Sequence, residues 1–168
     1  MNISRFNALD SNAATAVLQP CADIVRWVEA ILAARPFASV NELLETAATA
    51  ASPFTEAEID AALAHHPRIG ERAAGSSAEA ALSRGEQSGL DIDEQVAADL
   101  LAGNRAYEER FSRVFLIRAA GRTSEGILAE LHRRLGNDPA AEVAEVGEQL
   151  RAIALLRLTS AFDPVPAR

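Results

Sequence analysis

The sequence predicts an all-α fold, a single-domain bundle of about seven or eight helices over residues 1–168. Three observations predict it. Apolar residues make up 49% of the chain but aromatic residues only 5%, so alanine and leucine carry the packing, a mixture that favours helix over sheet. Apolar positions recur at steps of three and four in segment after segment. At four segment starts a capping residue stands three positions before a glutamate: Ser39 and Glu42, Thr55 and Glu58, Ser76 and Glu79, Asp91 and Glu94. In such a pair the cap side chain satisfies an orphan backbone N–H while the acid reaches back, and the acid also suits the helix dipole.

The elements follow in order. After an opening segment ending near Leu9, Asp10 and Ser11 cap a helix over 12–18, which Pro20 interrupts. The next, about 22–34, carries Ile24, Val25, Val28, Ile31 and Leu32 at helical spacing and includes Trp27. Arg35-Pro36 ends it, because a residue before proline resists the helical region. Behind the four caps, helices are predicted at about 40–51, 56–65, 77–88 and 92–112, with Arg84-Gly85 weakening the continuity of the third. The apolar run from Phe115 to Gly121 reads as a helix end, a strand-like segment or a buried loop; so few residues do not decide by periodicity. Thr123 or Ser124 opens a helix to about Leu135, and Gly136-Asn137-Asp138-Pro139 stops it. The last helix then runs to about Ala161, before a proline-rich tail from about 162.

Composition excludes several classes. Sixteen basic against 24 acidic side chains give a net charge of -8. That balance argues against nucleic acid as a partner, whose affinity rests on neutralising phosphates. It leaves room for a small anionic substrate at a pocket where local arginines dominate. Cys21 is the only cysteine, so no internal disulfide forms. The start, Met1-Asn2-Ile3-Ser4-Arg5-Phe6, has no signal-peptide pattern, and no apolar run reaches the roughly 18–20 residues that span a bilayer. A cytoplasmic protein without membrane contact is expected.

Three polar residues fall where apolar ones are expected. Ile59, Ala62, Leu63 and His66 share one helical face, and Pro67 breaks the segment directly after. A core histidine bonded to backbone is the plainer reading of His66; an acid–base group at a helix end is the functional one. Leu82, Glu86 and Leu90 share another face, with Ser83 and Gln87 beside the acid. Val143, Val146, Leu150 and Ile153 step along a third stripe whose next member is Arg157. That arginine either snorkels to the rim or meets an anion inside. Buried charges need partners, so Glu86 and Arg157 either tie helices together or converge with His66 on one pocket. No HxxxH, HExxH or CxxC spacing is present, so no metal site is expected. His132, in His132-Arg133-Arg134, reads as a surface cation at a helix C-terminus, and Tyr107-Glu108-Glu109-Arg110 as a solvated face.

Phe6-Asn7, Arg35-Pro36-Phe37, His66-Pro67, Ser83-Arg84-Gly85-Glu86-Gln87-Ser88-Gly89-Leu90, Asn104 with Tyr107 and Phe111, and Arg157-Leu158 carry a further resemblance by their order and spacing. Over about residues 6–158 the chain resembles the 2-oxo-4-hydroxy-4-carboxy-5-ureidoimidazoline (OHCU) decarboxylases, which end the urate-to-allantoin route. The resemblance implies an all-α, cofactor-free and usually homodimeric enzyme that makes (S)-allantoin and carbon dioxide. By position, His66 matches the catalytic proton donor, Glu86 the essential carboxylate, and Arg157 the arginine that holds an anionic part of the substrate. Pro67 lines the pocket, and Ser83, Arg84, Gly85 and Gln87 match the substrate-contacting helix segment. Phe115, Leu116, Ile117, Arg118 and Ala119 match a second contacting segment, through backbone groups. Where many relatives read Phe-Gly-Phe-Pro-Phe this chain has Phe111-Ser112-Arg113-Val114-Phe115, and where several have Asp-Leu after His-Pro it has Arg68-Ile69. Two other classes are a hydrolase of a related ureido or cyclic amide compound, and a non-catalytic helical interaction protein.

Overall fold

Side-chain caps set the helix starts. Asn2, Asp10, Ser39, Thr55, Asp93 and Thr123 each accept a hydrogen bond from a backbone N–H of the first turn that follows. The computed structural model describes residues 1–64, 66–70, 78–87 and 93–162. Among them lie nine helices and no strand: α1 (Ile3–Ala8), α2 (Ser11–Leu18), α3 (Val25–Ala33), α4 (Val40–Thr49), α5 (Glu56–Leu63), α6 (Ala78–Gln87), α7 (Glu94–Phe111), α8 (Ser124–Arg134) and α9 (Pro139–Phe162). The all-α expectation is borne out. The count exceeds seven or eight because the opening segment, for which no helix is predicted from the sequence, forms a short one behind Asn2.

Local chemistry also explains the shifted boundaries. α3 begins at Val25 rather than 22, because the N–H groups of Cys21 and Ala22 turn back to the Leu18 carbonyl and still belong to the end of α2. α7 is capped by Asp93, not Asp91, and Asp91 lies outside the described residues, as does Ser76. Thr55 and Glu58 form the reciprocal box. Ser39 caps α4, but Glu42 reaches past it to the N–H of Ala38. Arg84-Gly85 does not interrupt α6.

The chain divides into two compact units, residues 1–54 with 151–168, and residues 55–150. In the first, Phe6, Leu18, Trp27, Ile31, Leu43, Ile153 and Leu158 form the buried core. The Phe6 ring meets Phe162 edge-on at 5.4 Å, and Trp27 Nε1 donates to the Ala47 carbonyl at 2.9 Å. Asn7 clasps Phe37 twice, donating to its carbonyl at 2.8 Å and accepting from its N–H at 3.0 Å. Arg35 donates to the Leu9 carbonyl at 2.8 Å, so two of the short motifs close the end of α1 onto the segment after α3. Arg151 donates to Ala50 and Arg26 to Pro53, both at 2.8 Å, supplying donors to the carbonyls at and beyond the end of α4.

In the second unit Ile69, Leu100, Tyr107, Phe111, Phe115, Ile117, Ala119, Ile127 and Leu131 form one core. α7 and α8 meet closely at Gly103, where a Cβ would stand 2.5 Å from a methyl of Leu131. Arg113 ties the segment after α7 to α5 through Asp60 and Glu56.

The capping box at α5 gives a direct test. Thr55→Ala removes the acceptor for the Glu58 N–H, and urea unfolding should register a loss of about 1 kcal/mol.

Candidate active site

His66 stands beyond the end of α5. The helix stops at Leu63 rather than 65, and the His66 N–H closes a tight turn on the Leu63 carbonyl at 3.0 Å. Pro67 keeps the helix from resuming, since the residue before a proline is driven out of the helical region. The imidazole is half-buried, and Nδ1 lies 3.0 Å from the Ala62 carbonyl. A carbonyl only accepts, so Nδ1 carries the proton and the buried Nε2 carries the lone pair of the neutral ring. The backbone partner of the plainer reading is therefore present, and in the neutral ring it selects the Nδ1–H tautomer.

One face of α7 holds the loop that carries His66. Asn104 Nδ2 donates to the buried Ile69 carbonyl at 3.1 Å. One turn further, Glu108 takes a forked pair of hydrogen bonds from Arg68, one of them at 2.8 Å. The Arg68 guanidinium holds the Glu108 carboxyl below its ordinary range, by hydrogen bond first and then by charge. Gly70, at φ +85°, supplies the left-handed turn after Ile69.

On α6, Ser83 is buried, Arg84 and Glu86 are half-buried and Gly85 is exposed. Ser83 and Glu86 are three residues apart and so neighbours on the helix surface. Gln87 ends the helix, and its side chain lies outside the described residues, as do Ser88, Gly89 and Leu90.

Residues 115–119 are neither helix nor strand; of the three readings, the buried loop is the one found. Phe115, Leu116, Ile117 and Ala119 are buried while Arg118 points to solvent. Leu116 gives its carbonyl to Arg134 Nη1 at 2.7 Å, and Arg118 gives its N–H to Gln149 Oε1 at 3.1 Å. Arg134 is completely buried, with Glu142 Oε1 at 2.8 Å from Nε and 2.6 Å from Nη2. Tyr107 donates its hydroxyl to the same Glu142 oxygen. Burial and that hydrogen bond push the phenol far above its ordinary pKa, against the opposing charge of Arg134, so it remains a donor. This corrects the reading of 107–110: Glu109 and Arg110 are solvated, but Tyr107 is core and Glu108 pairs with Arg68.

Arg134 and Glu142 had no place among the expected site residues. A signal existed. Ile127, Leu131 and Arg134 repeat the spacing that singled out Arg157, and Glu142, Val146 and Leu150 are spaced by four. Arg157 itself is 2% exposed and donates from Nη1 to the Pro20 carbonyl at 3.2 Å, so it lies inside and does not snorkel. It belongs to the first unit; His66, Glu86 and residues 115–119 belong to the second. Among the described residues no group of three or more His, Cys, Asp or Glu side chains is arranged to hold a metal ion. No described helix is long and apolar enough to cross a membrane.

The family model described as OHCU decarboxylase matches residues 7–159. A 2-oxo-4-hydroxy-4-carboxy-5-ureidoimidazoline decarboxylase of Amia calva is 35% identical over 132 residues, 77% of this chain and 75% of the relative. An enzyme of the same name from Haloferax volcanii is 26% identical over 167 residues, 97% of each chain. A crystal structure of OHCU decarboxylase in the presence of (S)-allantoin aligns with TM-score 0.68 at 20% identity, over 92% of this chain and 99% of that one. A structure of (S)-allantoin synthase aligns with TM-score 0.69 at 17% identity, over 97% of this chain and 55% of that one. At such identities the structural likeness speaks for the fold alone.

The Arg68–Glu108 pair carries a pH signature. Glu108 has a lower pKa folded than unfolded, so its contribution is complete above the unfolded value, about 4.3, and fades as pH falls through the lower folded value. Both partners are partly exposed, which limits the pair to about 1 kcal/mol at most. Arg68→Ala should therefore lose up to that amount at pH 7, and the gap to wild type should close in acid and in high salt, as read by urea midpoints.

Proposed function

We propose a decarboxylase mechanism for this chain, which belongs to the OHCU decarboxylase family: conversion of 2-oxo-4-hydroxy-4-carboxy-5-ureidoimidazoline to (S)-allantoin and carbon dioxide. The observation that carries the reading is the family match over residues 7–159, which takes in His66, residues 83–87, residues 115–119 and Arg157. Cytoplasmic action as a homodimer belongs to the same proposal and is supported by the sequence resemblance.

The substrate's chemistry sets the tasks. Its carboxylate sits on a hydroxyl-bearing ring carbon next to a C=N bond. When the carbon–carbon bond to the carboxylate breaks, carbon dioxide leaves and the electron pair passes into the C=N unit. The sink is within the substrate, so no metal or pyridoxal is required. The ring nitrogen that accepts the pair takes up one proton from solvent; the resulting enol-like species loses its hydroxyl proton to become the ring carbonyl, and the ureido-bearing carbon gains a proton on one face.

His66 suits both proton movements. With Nδ1–H given to Ala62, the neutral ring takes the hydroxyl proton at Nε2 and, once protonated, returns it from the same nitrogen to carbon. Acid–base steps of this kind contribute about 10²–10⁴-fold. Arg157, buried and permanently charged, holds an anionic or carbonyl oxygen by charge-assisted hydrogen bonds. Glu86 accepts from ureido and ring N–H groups, with Ser83, Arg84, Gly85 and Gln87 completing that side and Pro67 lining the pocket. Backbone groups of residues 115–119 contact the ring.

The test supplies fresh substrate from urate oxidation and the ring-opening hydrolase, and follows the circular dichroism of allantoin. The protein should produce one enantiomer rapidly, and His66→Asn should abolish the acceleration while the helical spectrum is kept. A folded wild-type protein no faster than spontaneous decay, or release of product without carbon dioxide, would overturn the assignment. Glu86→Ala should raise KM and lower kcat together; unchanged values for both would leave Glu86 a purely structural residue.

A further inference from the structure

The second unit buries two charges that the proposed mechanism does not use. Arg134 is 0% and Glu142 1% exposed. A buried ion pair is a poor way merely to join helices, since apolar side chains of similar volume do that as well or better. What distinguishes this pair is where the remaining arm of the guanidinium goes. Nη1 reaches the Leu116 carbonyl at 2.7 Å, and the guanidinium lies 4.7 Å from the centre of the Phe115 ring. From α9, Gln149 Oε1 takes the N–H of Arg118 at 3.1 Å. The two anchors flank Ile117.

Planarity then does the rest. The peptide bonds on either side of Ile117 are trans, and in a trans peptide C=O and N–H point in opposite directions. Holding the Leu116 carbonyl toward Arg134 turns the Ile117 N–H away from Arg134. Holding the Arg118 N–H toward Gln149 turns the Ile117 C=O away from Gln149. A loop without helix or sheet bonds of its own thereby receives a set direction for one donor and one acceptor.

We propose that Arg134, braced by Glu142 and Tyr107, and Gln149 are positioning residues that aim the Ile117 peptide groups at the donor–acceptor edge of a cyclic ureide. This rests on the role proposed above for residues 115–119. Neither side chain touches the reacting atoms; each acts through the backbone it holds.

The experiment combines kinetics with hydrogen exchange. Gln149→Leu removes the acceptor at nearly constant volume and should raise KM about five- to tenfold, the effect of roughly one hydrogen bond. kcat, its pH profile and the unfolding midpoint should stay near wild type. Gln149→Glu restores an acceptor and should restore KM. Arg134→Lys keeps the charge but loses the fork, and should raise KM further; if it does not fold, the Gln149 pair decides. A wild-type KM in Gln149→Leu would overturn the positioning role. Separately, saturating (S)-allantoin should slow amide exchange at Ile117 in the wild-type protein. Absence of that protection would overturn the contact role of 115–119, whereas protection with an unchanged KM in Gln149→Leu would overturn the positioning role alone.

Discussion

Arg134 and Glu142 face each other out of reach of water, and three helices and a loop of the second unit take their places around them. Such a pair is tolerable only when nearly every donor and acceptor is used. Here Nε and Nη2 serve Glu142, Nη2 also reaches Tyr107, and Nη1 serves Leu116. The other carboxylate oxygen takes the Asn137 amide at 2.7 Å. α7, α8 and α9 each contribute a member, so displacing α8 or α9 would strand a charge and displacing α7 would remove the phenol that braces the pair. Breaking a pair of this kind by removing one partner costs about 3–5 kcal/mol.

Both units depend on side chains that satisfy backbone groups where regular structure ends. In the first, Asn7 and Arg35 close α1, while Arg26 and Arg151 serve the carbonyls at the end of α4, where Ala51 takes a positive φ. In the second, Asn104 serves Ile69 after the His66 turn, and Arg134 and Gln149 serve residues 115–119. Buried loops carry polar groups that must be met, and the side chains that meet them also determine what the loop presents. Motifs that look alike as short strings therefore divide in their work. Phe6-Asn7 and Arg35-Pro36-Phe37 clasp the chain, whereas at His66-Pro67 the imidazole turns back onto the Ala62 carbonyl at the end of α5.

Much of the fold was legible in the residues, and the reasons are local. Caps at Asp10, Ser39, Thr55 and Thr123 act on N–H groups within one turn, and apolar steps of three and four follow from the helix repeat itself. The misplaced starts arise where two local options compete: Ala22 could begin α3 or finish α2, and Asp91 and Asp93 are both acids before a glutamate. For the candidate site, residue type and spacing marked His66, Glu86 and Arg157 as polar intrusions on apolar stripes, and family resemblance supplied their roles.

By itself, the sequence determined the helical class, most of the caps, the family and the break that frees His66 from its helix. Each depends on interactions spanning a few residues, or on a pattern that residue identity alone records. The tertiary structure alone decided that Tyr107 and Arg134 are core while Arg118 is solvated, that Ala62 sets the imidazole tautomer, and that 115–119 is a loop pinned from α8 and α9. An arginine spells the same letter at the surface and in the interior. What separates the two is whether distant segments bring an acid, a phenol and a carbonyl to its fork, and that depends on how helices far apart in the chain pack together.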